Sequence, residues 1–92
     1  MNTITGKRFL TINASAGELY ELQYESEHSY SVFNNTDDVI TLSESSGYRE
    51  DEVSADCISI APDGYINNLS VITSKLYIRA AGSGKIAVVK TK

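Results

Sequence analysis

Residues 75–89 decide the fold, and they read KLYIRAAGSGKIAVV. Apolar side chains fall at every second position on both sides of the central glycines: Leu76, Ile78, Ala80, Ile86 and Val88. A period of two is that of a β-strand with one buried face. The intervening Gly82-Ser83-Gly84 is short and lacks bulky side chains, which favours a tight hairpin. The stretch therefore predicts two strands joined by a turn.

The same period recurs earlier in the chain, where helical periodicity is nearly absent. Alternating runs cover residues 19–24, 29–33, 39–43 and 57–60. Turn-forming or small residues separate the runs: 13–17, Asn34-Asn35-Thr36-Asp37 and Pro62-Asp63-Gly64. We therefore predict that residues 1–92 form a single all-β domain. Its class would be a small antiparallel β-sandwich, jelly-roll or Ig-like, with about seven or eight short strands.

Composition excludes several classes of protein. The 92 residues carry 12 acidic and 8 basic side chains, for a net charge of −4, and the basic residues are scattered. A nucleic-acid-binding protein needs a basic stripe, so no direct contact with nucleic acid is expected. No apolar run approaches the length of a membrane span, and Lys7 and Arg8 interrupt the N-terminus where a signal peptide would be apolar. We therefore expect no membrane partner and a cytoplasmic origin.

Residues that could support catalysis or metal binding are few. His28 is the only histidine and lies among Glu25, Glu27 and Ser29, which we interpret as an exposed loop histidine. Cys57 is the only cysteine, so it forms no disulfide within the chain, and we interpret it as a half-buried structural residue. One histidine and one cysteine do not make a zinc site. The sequence predicts no enzyme, no cofactor and no metal.

Candidate contact residues come from one loop and from the tyrosines. Residues 44–55 are polar and acidic and do not alternate, which predicts a long surface loop that is either an interaction site or a solvated connection. Of the six tyrosines, Tyr20, Tyr24 and Tyr30 fall on apolar strand faces and are expected in the core. The other three are expected to be exposed. The predicted contact set is Tyr48, Arg49, Glu50, Asp51, Glu52, Tyr65 and Tyr77.

Four segments together resemble a known group of proteins. They are YSVFNNT (30–36), ITLS (40–43), ISIAPDGY (58–65) and the closing stretch 75–89. An aromatic strand ending in Asn-Asn-Thr, a proline–glycine turn and a final Leu-Tyr-Ile strand before a glycine-rich turn are similar to small β-sandwich domains in virion proteins of tailed bacteriophages. These domains occur as head decoration or auxiliary capsid proteins, head fibres and tail accessories, including those of crAss-like phages.

The resemblance implies a non-enzymatic auxiliary capsid protein that docks on the major capsid protein, or on another virion protein, and reinforces the shell. The chain would lie on the capsid surface of a virion assembled in the host cytoplasm. Copies of the chain could also contact each other as a homo-oligomer. The resemblance carries over no catalytic residue.

A carbohydrate- or receptor-binding module is the alternative function. Exposed tyrosines and polar loops would supply its binding surface, since sugar rings stack on aromatic side chains. The absence of tryptophan from the sequence counts against this alternative.

Overall fold

A computed structural model describes residues 2–5, 8–23, 28–43, 57–71 and 75–91 of the chain. These residues contain strands and no helix, and so no helix that could cross a membrane occurs among them. The strands are β1 (Asn2–Thr5), β2 (Phe9–Ala14), β3 (Leu19–Gln23), β4 (His28–Thr36), β5 (Ile40–Ser43), β6 (Cys57–Ile60), β7 (Tyr65–Val71), β8 (Lys75–Ala80) and β9 (Gly84–Lys90). The prediction of an all-β fold is confirmed.

The strands form two sheets. One has five strands in the order β1-β3-β8-β5-β6, and the other has four in the order β2-β9-β4-β7. Every pair is antiparallel except β1 with β3, which is parallel. The predicted antiparallel β-sandwich is therefore confirmed, with a parallel strand added at one edge.

The order of pairing identifies the type of sandwich. β2 pairs with β9, β3 with β8, β4 with β7, and β5 with β6. Each pair joins an earlier strand to a later one, working inward from the ends of the chain, and successive pairs belong alternately to the two sheets. This is the topology of a jelly roll. An Ig-like sandwich pairs several consecutive strands. Here β5 with β6 is the one consecutive pair among the described strands, so the jelly-roll alternative is correct and β1 lies outside its eight strands.

The hairpin predicted from residues 75–89 is wrong, although both of its strands exist. β8 pairs with β3 and β5 in the five-stranded sheet, while β9 pairs with β2 and β4 in the other. The turn between them therefore crosses from one sheet to the other. Alternation establishes that a segment is a strand but not which strand lies beside it, because pairing depends on the whole chain.

A second turn was also predicted too early. Asn34 and Thr36 belong to β4 and are buried, with exposed fractions of 0% and 5%. Thus the chain leaves the sheet only after Thr36. The Asn34 side chain makes all four of its hydrogen bonds, so a polar residue that normally favours a turn can occupy the interior.

The Asn34 side chain connects the two sheets. Its Nδ2 donates to the carbonyl oxygens of Asp38 (2.8 Å) and Ile60 (2.9 Å), and Ile60 ends β6 of the five-stranded sheet. Its Oδ1 accepts from the backbone N–H of Thr36 (3.0 Å) and from the Thr36 hydroxyl (2.6 Å). Backbone bonds add Asn34 N–H to Gly64 O and Asp63 N–H to Asn34 O. One residue therefore holds the end of β4, the following turn and β6 together.

The core lies between the sheets and is built from the apolar residues of the alternating runs. Tyr20 and Tyr30 are buried there, as predicted, whereas Tyr24 lies outside the described residues. The buried apolar residues of the main cluster are Ile12, Ala14, Tyr20, Leu22, Tyr30, Val32, Ile40, Leu42, Ile60, Leu76, Ile78, Ala80, Ile86 and Val88. Because these side chains point inward, their neighbours along each strand point to the two outer faces.

Candidate docking face

The outer surface of the four-stranded sheet carries a group of apolar side chains. Phe9 and Val89 are directly opposite each other on β2 and β9, and Ala87, Phe33 and Tyr65 lie side by side across β9, β4 and β7. Their neighbours Val32, Ile86 and Val88 are fully buried in the core, so these five residues point away from it. We call Phe9, Phe33, Tyr65, Ala87 and Val89 the aromatic face.

Two residues of the aromatic face are largely in solvent. Phe9 is 69% exposed and Tyr65 is 62% exposed. Phe33, Ala87 and Val89 are partly buried. Scattered single apolar residues are normal on a protein surface, but a contiguous group is typical of an interaction site.

Cross-strand stacking fixes two of the rings. The Phe33 and Tyr65 ring centroids are 5.7 Å apart with an interplanar angle of 28°. Such offset stacking restricts the side-chain rotamers, so less conformational entropy is lost when a partner covers the rings.

Arg8 partly covers the ring of Phe9. Its guanidinium carbon lies 5.7 Å from the centroid of the Phe9 ring, which is a cation–π contact. Arg8 directly precedes β2, and its carbonyl accepts a hydrogen bond from the Lys90 N–H at the end of β9 (2.8 Å). The backbone bond holds Arg8 beside the sheet, so that a positive charge borders the aromatic face.

The charge of this sheet differs from that of the chain as a whole. None of its four strands contains Asp or Glu, although the chain has 12 acidic residues. Lys85 is exposed on the outer surface of β9, where it is opposite Asn13 on one side and Asn35 on the other. The remaining outward polar residues near it are neutral. The acidic residues Asp37, Asp38 and Asp63 lie beyond the strands, in turns at one end of the sheet.

The outer surface of the five-stranded sheet is different, since its central residues are buried. Glu21, Ser43 and Tyr77 are 6%, 3% and 4% exposed. Leu19 and Tyr77 form a second small apolar cluster there, with Cys57 packed against it. The predicted exposure of Tyr77 is therefore wrong. Alternation correctly put Tyr77 opposite the core-facing residues Leu76 and Ile78, but it gives no information about packing on an outer surface.

Glu21 is a buried charged residue that is paired with Tyr77 across β3 and β8. Its carboxylate accepts hydrogen bonds from the side chains of Gln23, Tyr77 and Thr3, and it lies 3.8 Å from Lys75 Nζ. The pKa of Glu21 is lowered, chiefly by the hydrogen bond from Gln23, against the opposing effect of burial. The pKa of Tyr77 is raised, first by burial and then by its hydrogen bond to Glu21 and the charge of Glu21. The group is satisfied internally, which indicates a structural role.

The predicted contact residues have different outcomes. The exposure of Tyr65 is confirmed, and its role in contact stays a prediction. Tyr48, Arg49, Glu50, Asp51 and Glu52 lie outside the described residues, as does the rest of the predicted loop. Within the described part of the chain, no three His, Cys, Asp or Glu residues are grouped so that they could hold a metal ion.

Two other expectations concern His28 and Cys57. His28 is the first residue of β4 and not a loop residue. Cys57 is half-buried at the start of β6, as predicted.

Sequence reasoning missed Phe9 and Phe33. Both are aromatic residues in positions that alternate with core residues, Phe9 with Leu10 and Phe33 with Val32. A large aromatic side chain on the solvent side of a strand is the signal that could have found them. Their proximity to Tyr65 could not have been found, because it depends on the strand order β2-β9-β4-β7.

Comparison of the chain with protein-family models, with curated proteins and with solved structures found no match.

Proposed function

We propose that the protein is a non-enzymatic auxiliary capsid protein of a tailed phage, which docks on the lattice of the major capsid protein and reinforces the shell. The single observation that carries the docking part of this proposal is the aromatic face. The identity of the shell rests on the resemblance of residues 30–36, 40–43, 58–65 and 75–89 to small virion domains. Jelly rolls are also a recurrent architecture of viral capsid domains, which supports the proposal by analogy of fold.

Covering the aromatic face would supply the free energy of docking. Moving a large apolar side chain such as that of Phe9 out of water stabilises a complex by about 1.5–3 kcal/mol. Buried aromatic residues with flanking polar residues are typical of the energetic centre of protein interfaces. In this mode of docking, the outer surface of the four-stranded sheet would lie against the shell.

Deleting the gene from the parent phage tests this function. We expect quantitative mass spectrometry of purified wild-type virions to find the chain in a fixed ratio to the major capsid protein. Virions from the deletion strain should release their DNA at a lower temperature, because the shell has lost a reinforcing contact. Absence of the chain from wild-type virions would contradict the proposal.

Carbohydrate binding is the second candidate, and the stacked pair Phe33 and Tyr65 is the observation that favours it. The exposed amides of Asn35, Asn67 and Asn68 lie on the same two strands, β4 and β7. Rings could stack on a sugar while the amides bind its hydroxyl groups. The four strands offer no carboxylate acceptor, which weighs against a neutral sugar.

A glycan array distinguishes this candidate. Binding of the wild-type chain that is lost in Tyr65→Ala would support it, with Tyr48→Ala as a parallel variant in the predicted loop. No signal on the array would exclude the glycan classes displayed.

A further inference from the structure

We infer that the aromatic face docks on an acidic protein surface, in which carboxylates surround an apolar centre, and not on a second copy of this chain. This inference rests on the proposed function and names the chemistry of the partner. Three observations carry it: the cations that border the face, the lack of acidic residues on its strands, and its limited area.

The positive charges are placed to meet a partner. Arg8 lies over the Phe9 ring at one end of the face, and Lys85 is exposed on β9 between Asn13 and Asn35. Among the described residues, Lys75 and Glu21 on the other sheet form a salt bridge at 3.8 Å, whereas neither Arg8 nor Lys85 forms one with a described acidic residue. Both side chains are exposed, so carboxylates of a partner that approaches the face can reach them.

The acid-free strands matter because the chain is acidic overall. A chain with 12 acidic and 8 basic residues would repel an acidic partner at most orientations. On β2, β4, β7 and β9 there is no carboxylate, so this sheet is where an acidic partner meets the least repulsion. Complementary charge would orient the encounter, and the apolar residues would hold the complex.

A second copy is a poor partner for the same surface. A symmetric dimer would bring together two sheets whose strands carry cations and no carboxylate. The area is also small. The four strands have 6, 9, 7 and 7 residues. At about seven residues each, about 3.3 Å per residue and about 4.8 Å between strands, they present about 450 Å². Two copies would bury about 900 Å² in total, below the roughly 1,200 Å² at which stable interfaces begin. A larger partner can also contact the edges and turns around the face.

Binding to capsid shells that lack this chain tests the inference. Shells from the deletion strain are mixed with labelled chain and sedimented, at 50 mM and at 500 mM NaCl. We expect affinity to fall about five- to tenfold at the higher salt concentration, because ions screen exposed charge pairs. Lys85→Gln should weaken binding about threefold at low salt and reduce its salt dependence.

Matched variants on the other sheet distinguish the contribution of the aromatic face to binding from the effect of a change in net charge, or in the polarity of an exposed side chain, anywhere on the protein. Ser59→Glu lowers the net charge by one, as Lys85→Gln does, but at an exposed position of β6 on the other sheet. This variant should bind almost like wild type. The double variant Phe9→Ser with Tyr65→Ser should lose at least about tenfold in affinity. Ile58→Ser, which removes an apolar side chain that is 43% exposed on β6, should lose little. Urea unfolding of each variant shows that it is folded.

The outcomes are distinguishable from failure of the proposed function. Shell binding that is unaffected by Lys85→Gln and by the Phe9 and Tyr65 substitutions would overturn the inference and leave the capsid function standing. If Ser59→Glu weakened shell binding as much as Lys85→Gln, the inference that charge acts at the aromatic face would be overturned. Absence of shell binding would overturn both the inference and the capsid function. Glycan binding that is lost in Tyr65→Ala would then support the carbohydrate-binding function in their place. A concentration-dependent dimer that is abolished by the double variant would overturn the exclusion of a second copy.

Discussion

Asn34 shows how a polar residue can determine a fold from the inside. Its side chain is fully buried, and each of its four hydrogen-bonding positions has a partner. Apolar packing between sheets is not directional, whereas these bonds require Asp38 and Ile60 to lie at one place relative to β4. The residue therefore contributes to the relative position of the two sheets as well as to stability.

Replacing Asn34 with Ala should destabilise the protein by about 2–4 kcal/mol, because the buried carbonyl of Ile60 would lose the amide donor and the buried N–H of Thr36 would lose its acceptor. The neighbouring Asn35 is exposed, and Asn35→Ala should change stability by no more than about 0.5 kcal/mol. Urea unfolding measures both changes, provided that the unfolding free energy depends equally steeply on urea concentration in the two variants. Equal midpoints for the two variants would show that the Asn34 bonds contribute no net stability.

Glu21 should make stability depend on acidic pH. Folding lowers its pKa below the ordinary 4.5, so the folded state favours the ionised carboxylate. The resulting stabilisation is present above the unfolded-state pKa and is lost as the pH falls through the folded-state pKa. Gln23→Ala removes the largest cause of the shift and should raise the Glu21 pKa and reduce the loss of stability in acid. A carbon-13 NMR titration of the Glu21 carboxyl measures this directly, and an unchanged midpoint in Gln23→Ala would refute it.

β7 shows why some strands escape prediction from periodicity. Its inward residues Ile66 and Leu69 are three positions apart, not two, because the pairing with β4 shifts between Tyr30 and Val32. Asn68, with φ of 54°, takes the left-handed conformation that places an extra residue in the strand. The bulge also interrupts an edge strand, which protects the sheet from pairing with other chains. The alternating strands could be predicted from sequence, but this one could not.

The crossing from β8 to β9 requires glycine at position 84. Its φ is 142°, and a Cβ there would lie 2.7 Å from the Asn35 carbonyl oxygen and 2.7 Å from the Thr36 Cα. Gly84→Ala should therefore destabilise the protein by about 3 kcal/mol.

Gly17 offers a matched comparison. Its φ is 82°, but a Cβ there would have nothing within 4 Å, so Gly17→Ala should cost only about 1 kcal/mol of backbone strain. Chemical unfolding of the two variants compares them. A loss for Gly17→Ala as large as that for Gly84→Ala would mean that the close approach of Asn35 and Thr36 does not decide the choice of glycine.

At the level of the whole molecule, the two sheets have outer surfaces of different character. One buries Glu21 and Tyr77 in an internally satisfied cluster, and the other leaves Phe9 and Tyr65 in solvent. From the sequence, the alternating strands could be predicted from their period, and the exposure of Tyr65 from its place directly after the turn Pro62-Asp63-Gly64. The grouping of Phe9, Phe33 and Tyr65 and the burial of Tyr77 could not be predicted, because they depend on strand order and on packing across distant segments.

This asymmetry predicts that the aromatic face is not needed for folding. Phe9→Ser combined with Tyr65→Ser should change stability by less than about 1 kcal/mol, since both side chains are mostly in solvent. By contrast, Val32→Ala in the core should cost about 2 kcal/mol or more. Thermal unfolding followed by circular dichroism compares the variants. A loss for the double variant as large as that for Val32→Ala would indicate a structural and not a docking role.

A cryo-EM map of the parent virion would show where the chain lies and which of its surfaces is covered. We expect the chain to lie on the capsid with the outer surface of β2, β9, β4 and β7 against the major capsid protein, and Phe9, Phe33 and Tyr65 to be covered. A virion map without this chain, or one in which the chain is bound and these three residues face solvent, would contradict the account.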